Sequence, residues 1–305
     1  MAESRLKRWL YGISRFFRQT LLGRALAFAS LPLLLLGIAF YKPHYQPPIF
    51  DAQVHYNEES WKRVRVEAIM NGVEEMNIPW LLVGSTPNLG TWKLWEADPD
   101  RVIPMLVPYD TREDRFYWHE IPATIEFLEH EISNRPYQGI GEFHLYDAQA
   151  DSNVVRRMVE LAVEHDLVLH ARSDPSALHK LFRMGPSLRI LWAHAGVDVK
   201  PDVIEKMLGR YRNLWVEISH RRDIAPHGEL KAEWQALMLL YPNRFMLGSG
   251  TYGSDYWYKL RTYVADYRDW LQDLPAEVSE RIAYRNGLDL FHMEYPRMSD
   301  LMLKN

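Results

Sequence analysis

From residue 49 onward, short apolar runs alternate with longer stretches in which apolar residues recur every three or four positions, and this alternation directs the chain to a parallel α/β sheet. Eight such units fit, with strands expected to begin near Ile49, Ile78, Val102, Gln138, Leu167, Arg189, Leu214 and Arg244. Helical spacing marks 60–76, 121–133, 153–165, 202–210 and 230–240. Alternation alone permits an open doubly wound sheet as well as a closed barrel. The polar residues separate the two: His55, Glu142, His170, His194, Ser219 and Ser249 fall at or just after the ends of expected strands 1, 4, 5, 6, 7 and 8. An open sheet would spread them in a row, whereas a closed barrel gathers them at the face that carries active sites in this architecture. The fold expected over 49–305 is an α/β (β/α)8 TIM barrel.

The first 48 residues form a separate device. Residues 25–41 are apolar and uncharged, close to the lower limit for a helix that spans a bilayer. Arg5, Lys7, Arg8, Arg15, Arg18 and Arg24 precede this run against the single acid Glu3, and only Lys42 follows it. That bias puts the N-terminus in the cytoplasm and the barrel on the outer, periplasmic or equivalent, side. Within 1–24, Leu6, Trp9, Leu10, Ile13, Phe16, Phe17 and Leu21 recur at helical spacing between basic residues, as in a helix lying on anionic headgroups. Three prolines stiffen the tether 42–48. The expectation is a single-pass membrane helix at 25–41; a signal peptide cleaved near Gly37-Ile38-Ala39 and an arginine-rich organellar presequence are the alternatives.

A net charge of −4 leaves no basic surface for nucleic acid, and the absence of cysteine removes disulfide scaffolds, thiolate metal sites and cysteine nucleophiles. Twelve histidines keep imidazole–carboxylate chemistry open. Gly139 and Gly141 lack the further glycine of a dinucleotide loop, so no nucleotide cofactor is expected.

The run Phe50-Asp51-Ala52-Gln53-Val54-His55 resembles the opening strand of metal-dependent hydrolases of the amidohydrolase superfamily, which ends in His-X-His; here Gln53 stands at the first histidine. Gly141-Glu142 resembles the strand-4 carboxylate of some branches, Leu169-His170-Ala171 the strand-5 histidine and Trp192-Ala193-His194-Ala195-Gly196 the strand-6 histidine. Met246-Leu247-Gly248-Ser249-Gly250-Thr251-Tyr252 resembles the strand-8 motif, with Gly250 at the place of the catalytic aspartate. Residues 280–291 resemble the final helix of the amidohydrolase-related group.

The resemblance implies one divalent metal, zinc by ligand type, held by Glu142, His170 and His194 with His55 near the bound water or as a further ligand. A hydrogen-bonded polar cluster with no ion is the alternative. It also implies hydrolysis of an amide, ester or lactone in a small molecule, decarboxylation being known in related members. His55, His220 and Asp255 are the candidates to replace the missing aspartate in proton transfer, Asp255 competing with a role as helix-entry carboxylate. Arg112 and Arg172 are candidates to clamp a substrate carboxylate. Tyr252 is a further candidate for substrate contact, and with Trp92, Trp95, Tyr109, Tyr256, Trp257 and Tyr258 it would close a pocket or dock a partner. The function expected is thus a membrane-anchored one-metal hydrolase; the alternative is a catalytically inactive scaffold or binding subunit docked to a membrane-protein partner.

Overall fold

A computed structural model of the chain describes residues 47–295. The anchor expected at 25–41 lies outside these residues, and among the described residues no helix is long and apolar enough to cross a membrane.

Eight parallel strands follow one another around a single sheet in chain order: β1 (Phe50–Val54), β2 (Trp80–Val83), β3 (Val102–Leu106), β4 (Gly139–Leu145), β5 (Val168–Ser173), β6 (Ile190–Trp192), β7 (Leu214–Glu217) and β8 (Phe245–Met246). Each begins within two residues of its expected start, because the strands lie inside the barrel and read as continuous apolar runs. Helices fill the crossovers: α1 (Val66–Glu75), α2 (Leu89–Ala97), α3 (Ala123–Asn134), α4 (Asn153–Glu164), α5 (Pro175–Met184), α6 (Pro201–Arg210), α7 (Ala232–Leu240) and α8 (Ser254–Leu271). Two of them start where the sequence supplies a cap. The Ser152 hydroxyl accepts the Val155 N–H at 3.2 Å, and the Asp174 carboxylate accepts the Ala177 N–H at 2.8 Å with Pro175 opening the helix.

The helix expected over 60–76 is instead a single turn, Glu58–Trp61, followed by α1. Tyr56 causes the break: its hydroxyl donates to the Val64 carbonyl at 2.7 Å while its own carbonyl accepts the Trp61 indole N–H at 2.7 Å, which pins the intervening chain out of helical register.

The ring closes between β1 and the chain just beyond β8. Ala52 N–H donates to Leu247 O at 2.9 Å, Gly250 N–H to Gln53 O at 2.8 Å, and Ser249 N–H to the Asp51 carboxylate at 2.8 Å. At the opposite, N-terminal end of the barrel, Phe50 stacks between Trp80 and Phe291 at centroid distances of 6.3 and 6.0 Å, and Trp80 stacks on Tyr284 at 5.9 Å. The closing segment can approach this stack because position 287 is glycine; a Cβ there would lie 2.4 Å from the Phe50 ring. Phe50→Ala removes the centre of the plug and is expected to cost about 3–5 kcal/mol, read as a lowered urea midpoint with an unchanged slope.

Candidate active site

The strand ends gather a polar cluster at the C-terminal mouth. His55 directs its Nδ1–H to the Gly84 carbonyl, which leaves Nε2 as an acceptor. One side-chain amide serves two acceptors there: Gln53 Nε2 stands 2.8 Å from His55 Nε2 and donates to Glu142 Oε2. His55 Nε2 and Glu142 Oε2 are themselves 3.3 Å apart. The other Glu142 oxygen meets His194 Nε2 at 3.1 Å, and His194 Nδ1 meets the Ser219 hydroxyl at 2.8 Å with the Glu217 carboxylate at 3.5 Å. Glu217 anchors the turn after β6 by accepting the His194 backbone N–H at 3.0 Å, and it also accepts the Ser219 N–H. That turn places His194 and Ala195 in left-handed backbone, at φ of +53° and +47°, so the ring is aimed by a local conformation that costs energy.

The charges follow from these contacts. Burial alone would raise the Glu142 carboxyl, but the charge and hydrogen bond of His194 hold it well below the ordinary carboxylate range. Burial likewise opposes protonation of His194, yet Glu142 and Glu217 pull its pKa above the ordinary 6.5. The centre is therefore a carboxylate–imidazolium couple. His170 differs: burial drives it down to about 3, so it is neutral, and its Nε2 is buried without a hydrogen-bond partner, as is Gln53 Oε1. Beneath the couple, burial raises Glu217, and it raises Asp51 to about 7.

His220 enters from the turn after β7 at a φ of +60°, its ring 5.2 Å from that of His194 and edge-on to Tyr256 at 5.4 Å. It occupies the space of the side chain missing at position 250. A Cβ on Gly250 would fall 2.1 Å from His220 Nε2, and the φ of +61° at Gly250 is itself unfavourable for a side chain. Packing of one side of its ring into the mouth pushes His220 down to about 4, although the residue as a whole is exposed.

Above the cluster opens a cavity of ≈ 530 Å³ whose lining includes His55, Glu142, His194, His220, Arg115, Arg172 and Arg222. Among the described residues none of these three arginines is paired with a carboxylate, and the Nε atoms of Arg115 and Arg172 are buried without partners. Arg221 on the same wall is committed, with two 2.8 Å bonds to Asp223 and bonds to the Ala195 and Val199 carbonyls. Of the residues singled out in the sequence, His55, Glu142, His194, His220, Arg172 and Tyr252 line this mouth and His170 lies in the buried floor. Arg112 sits to one side, bridged to Glu59 at 3.1 Å and stacked over Tyr252 at 4.3 Å. Asp255 is exposed in the first turn of α8, outside the mouth. Among the loop aromatics, Tyr252 and Tyr256 face the cavity, while Trp92, Tyr109 and Trp257 are buried and Tyr258 is 67% exposed.

Arg115, Arg222, His144, Asp51 and Glu217 were not anticipated. His144 follows Glu142 by two positions on one strand and so shares its face, a signal that period-two reading supplies. Burial pushes it down to about 4.

A closed (β/α)8 barrel with His and Glu converging at its C-terminal mouth defines a hydrolase-type barrel. The family profile described as amidohydrolase matches residues 137–293, just over half of the chain, and the chain belongs to that family. No curated protein matches it in sequence. Among solved structures, it is similar to a probable 2-pyrone-4,6-dicarboxylic acid hydrolase from Acinetobacter baumannii with citric acid bound (13% identity, TM-score 0.53, covering 80% of this chain and 99% of that one). It is also similar to an amidohydrolase from Burkholderia multivorans (12%, 0.51, 81% and 100%). A 2,6-dihydroxybenzoate decarboxylase is a third (10%, 0.54, 82% and 100%). At such identities the likeness is one of fold.

The family typically binds a divalent metal, but among the described residues no group of three or more His, Cys, Asp or Glu is arranged to hold one. The donor set explains why. Glu142 Oε2 and His55 Nε2 both face the Gln53 amide and Glu142 Oε1 faces His194 Nε2, so of the imidazoles of His55, His170 and His194 only that of His170 has an Nε2 without a partner. One imidazole does not make a metal site. The residues as arranged do not fit the ion.

The buried Asp51 gives a pH test. Its carboxyl keeps a proton up to about 7 in the folded chain against an ordinary value of 3.8, so its contribution to stability falls as pH rises through that window and is level above it. Asp51→Asn retains the Oδ1 that accepts both the Ser249 and Gln53 N–H groups. The variant is expected to gain stability over the parent progressively from about pH 4 to 7 in urea titrations; a difference independent of pH would mean that Asp51 ionises normally.

Proposed function

We propose that the mouth hydrolyses an ester or lactone bond in a small carboxylate-bearing molecule. The observation that carries this reading is the trio Arg115, Arg172 and Arg222, which line one cavity above an acid–base cluster and have no carboxylate partner among the described residues, Arg115 spending one N–H on the Tyr252 hydroxyl at 3.1 Å. The Nε donors of Arg115 and Arg172 are buried without partners, which is costly unless a ligand satisfies them, and Arg binds carboxylate in a two-pronged geometry.

His220 supplies the proton transfer. Neutral at physiological pH, it stands where the missing side chain of position 250 would lie. A pKa of about 4 is low for a general base, but a carboxylate seated between the arginines adds negative charge beside the ring and raises it. In the forward step a water oxygen attacks the carbonyl carbon while His220 takes the water proton, and the adjacent guanidinium stabilises the developing oxyanion. As the carbon–oxygen bond breaks, His220 returns that proton to the leaving oxygen, giving an acid and an alcohol, or a hydroxy acid from a lactone. An amide nitrogen is a poorer leaving group and gains most from a Lewis acid at the carbonyl, so oxygen esters suit this mouth better.

Paired substrates test the reading. Esters or lactones carrying a carboxylate are expected to be hydrolysed with higher kcat/KM than neutral analogues of the same leaving group. Arg172→Met should raise KM selectively for the charged member, and His220→Gln should lower kcat by about 100- to 10,000-fold. Equal treatment of charged and neutral substrates by the parent protein would overturn the proposal.

A further inference from the structure

The Gln53 side chain lies between His55 and Glu142, two of the residues that the sequence marks as candidate metal ligands. Its –NH2 group is held by His55 Nε2 at 2.8 Å and by Glu142 Oε2, two atoms from different strands that are 3.3 Å apart. We infer that the Gln53 amide is a built-in replacement for the metal: its two N–H groups hold His55 Nε2 and Glu142 Oε2 together, and they keep the site metal-free.

Three features of the floor support this. First, an ion is bound through lone pairs, and those of His55 Nε2 and Glu142 Oε2 that converge on this point are taken by N–H hydrogens, whose partial positive charge repels a cation. Second, the amide is fixed. Gln53 is 1% exposed, and turning the amide over would set its Oε1 against the Glu142 carboxylate, two acceptors facing each other in a site with little water. Third, the His55 tautomer is set from behind. Its Nδ1 donates to the Gly84 carbonyl, so Nε2 must accept, and the amide supplies that donor without any change of charge.

A histidine at position 53 cannot reproduce this arrangement, because an imidazole nitrogen offers at most one hydrogen where the amide offers two. Gln53→His would return a lone pair from each of His55 and Glu142 and add a ligand of its own, beside the already free His170 Nε2. The inference stands apart from the proposed hydrolysis, since its test reads metal and not turnover.

The full-length chain and its Gln53→His and Gln53→Ala variants are each purified, titrated with zinc chloride in a calorimeter and analysed for metal after desalting, with circular dichroism confirming that each is folded. The parent is expected to retain no zinc. At least one folded variant is expected to retain close to one equivalent, and to lose it when His170→Ala is added. Gln53→Ala keeps the test open where the larger imidazole disturbs folding. Close to one equivalent in the parent would overturn the inference, and so would two folded variants that bind no more zinc than the parent, because the amide would then not be what excludes the ion.

Discussion

Closure of the ring between β1 and the chain after β8 is the constraint on which the remainder of the molecule depends. Three hydrogen bonds make the seam, from Ala52, Ser249 and Gly250, and the acceptors include both a backbone carbonyl of β1 and the Asp51 carboxylate. β8 itself is two residues long, so a regular ladder does not close the barrel. The seam is completed by side chains. Thr251 receives the His55 N–H at 3.1 Å and returns a bond to the His55 carbonyl at 3.2 Å, which extends the junction to the level of the site. Without that seam the strand ends would lie in a row and the six polar positions would never meet.

Charge is layered along the barrel axis. Unpaired arginines form the rim, a carboxylate–imidazolium couple lies below them, and Asp51 and Glu217, both raised by burial, form the lowest layer. Each layer compensates its neighbour. Glu217 supports His194 from beneath while Glu142 meets it from the side, so the imidazolium is flanked by acceptors on both nitrogens. An isolated carboxylate at this depth would cost several kcal/mol, which the pairing with His194 offsets in part.

Much of this was legible before any coordinates. Strand positions follow from apolar continuity, and the convergence of His55, Glu142, His170 and His194 follows once the strands are placed and the barrel is closed. What sequence concealed has a physical origin. Arg115 lies in an irregular loop, where no periodicity says which side chains face inward, and Arg112, three residues earlier, is drawn aside by Glu59. Glu217 ends its strand at the same level as the recognised residues, but an acid closing an apolar run is indistinguishable in sequence from one in the following turn. The meeting of His55 Nε2 and Glu142 Oε2 on the Gln53 amide is a matter of distances, which spacing alone does not contain.

The two departures from the family's pattern, Gln53 and Gly250, are linked by charge as well as by position. They are adjacent across the seam, since the Gly250 N–H bonds to the Gln53 carbonyl. An aspartate at 250 would add a negative charge to a site that already holds Glu142 as a carboxylate above Asp51 and Glu217, and a neutral amide at 53 cannot offset it. On the reading that the Gln53 amide replaces the ion, an aspartate at 250 is a liability. Glycine removes that charge, and the left-handed backbone it adopts gives His220 the room to enter from β7. A proton carrier that is neutral when empty fits a floor with no dication, whereas an anionic one requires the dication to hold it. The pair of substitutions is then one change in electrostatic design, made at two residues that share a hydrogen bond.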